Sequence, residues 1–143
     1  MVINGSSHSV TLAALPTSAG AARRQVRAWL DAVSWPAVLI DDVVSAVTEA
    51  VTNVVEHAYT RATPIRTIEM RFWIEHGIDG TRRARIHVRD HGRWRPPPTD
   101  PGFRGHGLKL MHALMDEVIT QPSHGTRGGT VTVLLSPPAP APD

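Results

Sequence analysis

The sequence predicts an α+β fold: a two-layer α/β sandwich whose mixed, mostly antiparallel sheet carries its helices on one face. Three observations predict it. Apolar residues alternate with polar ones in several short segments, which is the strand period, and recur every three or four residues in two longer ones, which is the helical period. The elements fall in the order β-α-α-β-β-loop-α-β-β. Strands adjacent in sequence are joined by hairpin-length connections at two places, which favours antiparallel pairing and leaves the helices to one face.

Each element has its own reason. Residues 8 to 15 alternate as a short strand with Val10 and Leu12 inward. Thr17 and Ser18 are N-cap types for a helix through Val33, and Pro36 suits the first turn of a second helix running to about Tyr59. In IEMRFWIE (68 to 75) the alternating residues are Ile68, Met70, Phe72 and Ile74; in ARIHVRD (84 to 90) they are Ala84, Ile86 and Val88. The GIDGTRR between them is hairpin chemistry. Residues 92 to 107 hold too much Pro and Gly for regular structure. LKLMHALM (108 to 115) reads as a short helix, followed by strands near 117 to 121 and 129 to 135. The folded domain is expected over residues 8 to 136, with residues 137 to 143 a Pro/Ala-rich tail or linker.

With 143 residues the chain has the length of one domain with a single core. It has no cysteine, which removes disulfides, zinc-thiolate sites and thiol catalysis, and fits a reducing cytoplasm. No apolar run reaches transmembrane length, and no signal-peptide pattern opens the chain, so no membrane is expected. The pI of 9.9 reflects a net charge of only +2, because one tyrosine and no cysteine leave little to titrate above neutrality. The charge is uneven, however. Residues 61 to 110 hold eleven of the fifteen Lys and Arg against five acids, which is either a solvated strand face or a surface for an acidic ligand or partner.

Chemistry concentrates in TEAVTNVVEHAY, residues 48 to 59. At about 100° per residue, Asp42, Ser45, Glu49, Asn53, Glu56 and Thr60 share one helix face, while Val43, Val44, Val47, Val51 and Val54 lie opposite. Such a row can simply face water. Glu49 and Asn53 at i,i+4 also place a carboxylate beside an amide oxygen, a pair able to bind Mg2+ or orient a hydroxyl. Asp90 shares the parity of Ile86 and Val88, so it points inward, either capping the turn at His91 and Gly92 or accepting a hydrogen bond at the floor of a pocket. Gly102, Gly105 and Gly107 lie just before a helix, where free N–H groups can receive phosphate, with Arg104 and Lys109 adding charge; the same residues also suit an ordinary loop. The segment is not a Walker A loop, and no HExxH or similar metal spacing joins the histidines.

Taken together and in this order, these elements resemble the GHKL (Bergerat-fold) nucleotide-binding domains. Within them the likeness is to the small anti-sigma-factor serine kinases of the RsbW/SpoIIAB type, and it spans residues 10 to 135. EAVTNVVEHAY from 49 looks like the N-box, DHGRW from 90 the first glycine box, RGHGL from 104 the second, and Gly129-Thr130 the third. The resemblance implies ATP and Mg2+ as cofactors. It makes Glu49 the general base and Asn53 the Mg2+ ligand. Asp90 becomes the acceptor of the adenine amino group, with Gly92 admitting the ring and Thr130 supporting Asp90. Arg104, Gly105, His106, Gly107 and Leu108 form a lid over the phosphates, and His57 lies on the ribose or phosphate side. It further implies a cytoplasmic serine/threonine kinase that phosphorylates an anti-anti-sigma (STAS) protein, regulates a sigma factor by partner switching, binds no nucleic acid directly, and has the option of a homodimer.

Three departures stand out. Trp94 replaces a smaller residue or phenylalanine, Val54 replaces the commoner alanine, and three prolines at 96 to 98 stiffen the start of the lid. None removes a chemical group. No phospho-acceptor histidine box or dimerisation hairpin is present, which counts against a sensor histidine kinase. The alternative is a nucleotide-binding anti-sigma or regulatory module without kinase activity, as part of a larger phosphatase-linked regulator. Nucleic-acid binding through residues 61 to 95 is disfavoured by their few aromatics and scattered arginines.

Overall fold

A computed structural model describes residues 2–3, 7–58, 66–92, 106–123 and 129–142. The described strands are β1 (Val2–Ile3), β2 (His8–Ala13), β3 (Thr67–His76), β4 (Arg82–Asp90), β5 (Glu117–Pro122) and β6 (Thr130–Leu135). The described helices are α1 (Ser18–Ala32), α2 (Ala37–Asn53) and α3 (His106–Leu114), with a π-helical turn (Val54–Ala58) continuing α2. The sheet order is β1-β3-β4-β6-β5, with β2 also pairing β3, and every pairing between these strands is antiparallel.

The strand alternation does what the sequence predicts. Ile68, Met70, Phe72 and Ile74 of β3 point the same way as Ala84, Ile86 and Val88 of β4, and all are buried. They meet Ala22, Val26, Trp29 and Leu30 of α1 and Val43, Val47 and Val51 of α2 in one core cluster. Trp29 and Phe72 bring their ring centres to 4.7 Å. Each fully buried Leu, Ile or Phe stabilises the fold by roughly 1.5–3 kcal/mol, which is why the two amphipathic helices settle on this face.

The helix ends differ from expectation in instructive ways. Thr17 occupies the N-cap of α1 with helical dihedrals and makes no side-chain cap. Its neighbour Ser18 instead donates its hydroxyl to the Ala13 carbonyl, tying the helix start back to β2. At the other end Ser34 adopts φ 55°, and the N–H groups of Ser34 and Trp35 return to the carbonyls of Asp31 and Leu30 at 3.1 and 2.9 Å. That is a Schellman closure with serine in the left-handed position where glycine is commoner.

Arg82 locks this corner. Its guanidinium donates to the carbonyls of Val33 (2.6 Å), Ser34 (3.0 Å) and Pro140 (3.0 Å), and lies 5.2 Å from the centre of the Trp35 ring. Residues Arg82 and Ala139 also exchange both backbone hydrogen bonds at 2.8 Å, so the Pro/Ala segment expected as a tail is docked on the sheet as far as Pro140. Burial holds the Arg82 pKa below its ordinary value, yet three carbonyls surround the charge.

Candidate nucleotide site

On α2 the predicted polar row separates from the core as expected. Glu49 and Asn53 are half-buried, Asp42 and Glu56 exposed, and Val43, Val44, Val47, Val51 and Val54 buried. Regular α-helix ends at Asn53 rather than near Tyr59, and Val54–Ala58 form the π turn. Turns of this kind are rare and recur at functional sites, because one extra residue re-aims the side chains that follow. Valine-rich sequence carries no signal for it.

The first turn of α3 sits directly on this row. A Cβ placed on Gly107 would lie 2.6 Å from Glu49 Oε2 and 3.7 Å from Asn53 Oδ1. Both oxygens therefore converge on one point of the α3 backbone, and a side chain there would push the Glu49 carboxylate aside. Leu108, next in the helix, packs against the core and fixes how α3 lies. Two hard oxygen donors facing a helix N-terminus suit a divalent cation that takes its remaining ligands from water and phosphate. They equally suit a hydroxyl that must lose a proton.

Asp90 closes β4 with its side chain turned to the helical side of the sheet, 4% exposed. Its Oδ1 accepts the Gly92 N–H at 2.9 Å. Burial pushes its pKa above the usual carboxylate value, while the backbone N–H groups of Gly92 and Thr130, and then the charge of His91, pull the other way. Thr130 faces Asp90 across the β4–β6 pairing. Gly129, one residue earlier, has φ 104°, and a Cβ there would fall inside contact distance of the Asp90 carbonyl oxygen and 3.0 Å from His91 Cα. The Ser123 N–H closes the same corner on the Gly129 carbonyl at 2.9 Å. Gly129 thus lets β6 begin tight against the residue that β4 offers.

Arg104 and Gly105, with the rest of the expected lid before α3, lie outside the described residues, as do the side chains of His57 and His106. Two crevices among the described residues lie elsewhere, one lined by Trp35, Leu39 and Ser136, the other by Arg82 and Pro140. Neither touches Glu49, Asn53 or Asp90. No described helix is long and apolar enough to cross a membrane.

Residues 12–135 match the family model of the histidine kinase-like ATPase domain. Among solved structures, the chain is similar to the RsbU and RsbW domains of Rv1364c from Mycobacterium tuberculosis, with 30% identity and a TM-score of 0.62. That match covers 97% of this chain but 35% of the other, so this chain spans about a third of its length. A histidine kinase domain from Erythrobacter litoralis EL346, a blue-light activated histidine kinase, matches at 20% identity and a TM-score of 0.42, covering 69% of this chain and 44% of that one.

Proposed function

We propose, from the premise that this chain belongs to the histidine kinase-like ATPase domain family, that it is an ATP- and Mg2+-dependent anti-sigma-factor serine/threonine kinase. Its acceptor is a serine of an anti-anti-sigma (STAS) protein, and partner switching with a sigma factor, in the cytoplasm, is its regulatory output. The observation that carries this reading is the convergence of Glu49 Oε2 and Asn53 Oδ1 on Gly107. An ATP-binding domain needs an oxygen donor such as Asn53 for the cation, and a carboxylate one turn earlier supplies a base for an attacking hydroxyl.

In this mechanism Asp90 accepts the adenine amino group, and Gly92 leaves space for the ring. Asn53 holds Mg2+, which neutralises phosphate charge when bound. The α3 N-terminus directs its free N–H groups at the phosphates. Glu49 takes the proton from the acceptor serine hydroxyl as its oxygen bonds to the γ-phosphorus and the β–γ bridging oxygen leaves. Positioning and charge neutralisation carry most of the rate.

The decisive experiment incubates the protein with labelled ATP, Mg2+ and cognate STAS proteins, beside Glu49→Gln. Phosphoserine with wild type, and a loss of roughly 100-fold or more with the variant, supports the reading. Equal phosphorylation by both removes Glu49 as the base. A second reading, an ATP-gated regulatory module without kinase activity, is favoured by one fact: the similar structure joins its RsbW domain to an RsbU domain in a longer chain. It requires ATP binding with no phosphoserine from either protein.

A further inference from the structure

The sheet has a second face, turned away from the three helices. On it Arg71 of β3 pairs across from His87 of β4, Trp73 stands two residues along from Arg71, and Arg89 two residues along from His87. Trp73 is 8% exposed although no described helix lies on this face. His87 lies edge-on to its ring at 4.8 Å between centres, and the Arg71 guanidinium carbon sits 5.5 Å from the ring centre. The Arg71 guanidinium thus lies over the indole as a cation on an aromatic face.

The charges here do not cancel locally. Glu75 is held by two nitrogens of the Arg85 guanidinium and Asp116 by Arg83, while Glu69, 3.2 Å from His91, stands across the register from Arg89. Glu117 remains, but on β5, at the far edge of the sheet. Arg71 donates to the Ser7 hydroxyl at 3.2 Å, and neither Arg71 nor Arg89 has a carboxylate partner among the described residues. Two N–H donors, Trp73 Nε1 and Arg89 Nε, are buried on this face without an acceptor among those residues. Orphaned buried donors are uncommon and ask for an acceptor. Burial first, then Arg85 and Arg71, hold the His87 pKa below the usual imidazole value, with Glu75 only partly opposing.

We propose that this outer face is a docking surface for an acidic segment of another protein, its carboxylates reaching Arg71 and Arg89 and its apolar side chains lying over Val131 and Ile119. The apolar half of that surface is centred on Ile119, 41% exposed, which follows His87 and the buried Val133 across the register, with the half-buried Val131 beside it. Phosphate backbones fit less well. The tryptophan of this face is covered rather than presented for stacking, and two arginines without a carboxylate partner among the described residues are few for a phosphate backbone. A second copy would set the same cationic strip against itself, which like-charge repulsion opposes. The segment docks opposite Glu49, Asn53 and Asp90, so it leaves the nucleotide site open and does not depend on kinase chemistry.

The test uses the full chain, 15N-labelled, titrated with a fluorescent peptide of about a dozen residues alternating glutamate with valine. The Trp73 Nε1–H and Arg89 Nε–H signals shift, while the amides of Asp90 and Gly107 stay in place. Arg71→Glu with Arg89→Glu weakens binding by roughly tenfold or more, and the exposed single variant Arg71→Gln weakens it in the same direction with the fold intact. Reversing the same amount of charge on the exposed α1 residues Arg23 and Arg24 leaves affinity within about twofold. Equal weakening by the two double variants overturns the proposal, as does an absence of shift at Trp73. Displacement of the peptide by a short DNA duplex assigns the face to nucleic acid instead. A dimer that dissociates in the Arg71→Glu, Arg89→Glu protein assigns it to a second copy.

Discussion

Gly107→Ala separates catalysis from stability at one atom. The added methyl would lie 2.6 Å from Glu49 Oε2, so the carboxylate must retreat by about 0.8 Å to restore an ordinary 3.4 Å contact. That retreat is cheap for the fold, because the atom in the way is the far end of a flexible side chain. Alanine also gains about 0.5–1 kcal/mol over glycine within a helix. The unfolding midpoint should therefore hold or rise. Catalysis is less tolerant, since a displacement near 1 Å can cost about 100-fold in rate. Asn53 Oδ1, at 3.7 Å from the same methyl, is barely touched. ATP affinity should accordingly stay within about threefold, and single-turnover phosphoryl transfer to a STAS acceptor should fall by roughly 10- to 100-fold. Wild-type transfer at unchanged stability would refute the placement of Glu49 as base. A large drop in the unfolding midpoint would show that Gly107 serves packing instead.

Other outcomes follow from the same geometry. Asp90→Asn should weaken ATP binding in calorimetry by roughly tenfold or more, because the amide can present a donor to the adenine amino group. Its folding should improve relative to wild type as pH rises: the raised Asp90 pKa means that this group's contribution is full below about pH 3.9 and is lost as pH climbs through the raised value, whereas asparagine does not titrate. Midpoints measured between about pH 4 and 8 check the sign. Gly129→Ala should destabilise by about 2–4 kcal/mol in urea unfolding, because φ 104° and the Asp90 backbone both reject a side chain. Arg82→Met should cost about 3 kcal/mol or more by the same measurement, since three carbonyls lose their donor together.

What the sequence made legible is what a short-range period controls. Alternation placed β3 and β4, and their parity alone turned Asp90 inward, as the structure has it. The helical period divided α2 into a valine face and a Glu49–Asn53 face. The missed features depend on residues far apart in the chain. β1 is two residues long and exists only because Val2 and Ile3 meet His76 and Glu75. Arg82 shares parity with core residues, and nothing near it in sequence announces carbonyls from positions 33, 34 and 140. Alternation puts Glu75 on the outer face of β3 but carries no sign that it is 7% exposed under the Arg85 fork. The π turn after Asn53 likewise has no local mark, because β-branched residues suit a buried α-helix as well.

Buried charge by itself does not mark the site. Glu75 and Arg85 satisfy each other through two contacts, and Arg82 is surrounded by acceptors, so both read as structural. Asp90 differs in kind. Its donors come from two neighbouring backbone N–H groups, no cation is bonded to it among the described residues, and burial still wins over those donors in setting its pKa. A fold selected for stability alone would put an amide or an apolar residue there, since an unpaired buried carboxylate is costly. The same corner accepts a positive φ at Gly129, and the neighbouring helices accept a glycine at Gly107 and a π turn after Asn53. Each departs from what local stability favours, and each lies beside a residue expected to touch nucleotide. Asp90 is therefore the residue at which binding and stability should move in opposite directions, and Arg82 one at which stability should fall with no direct contact to the nucleotide.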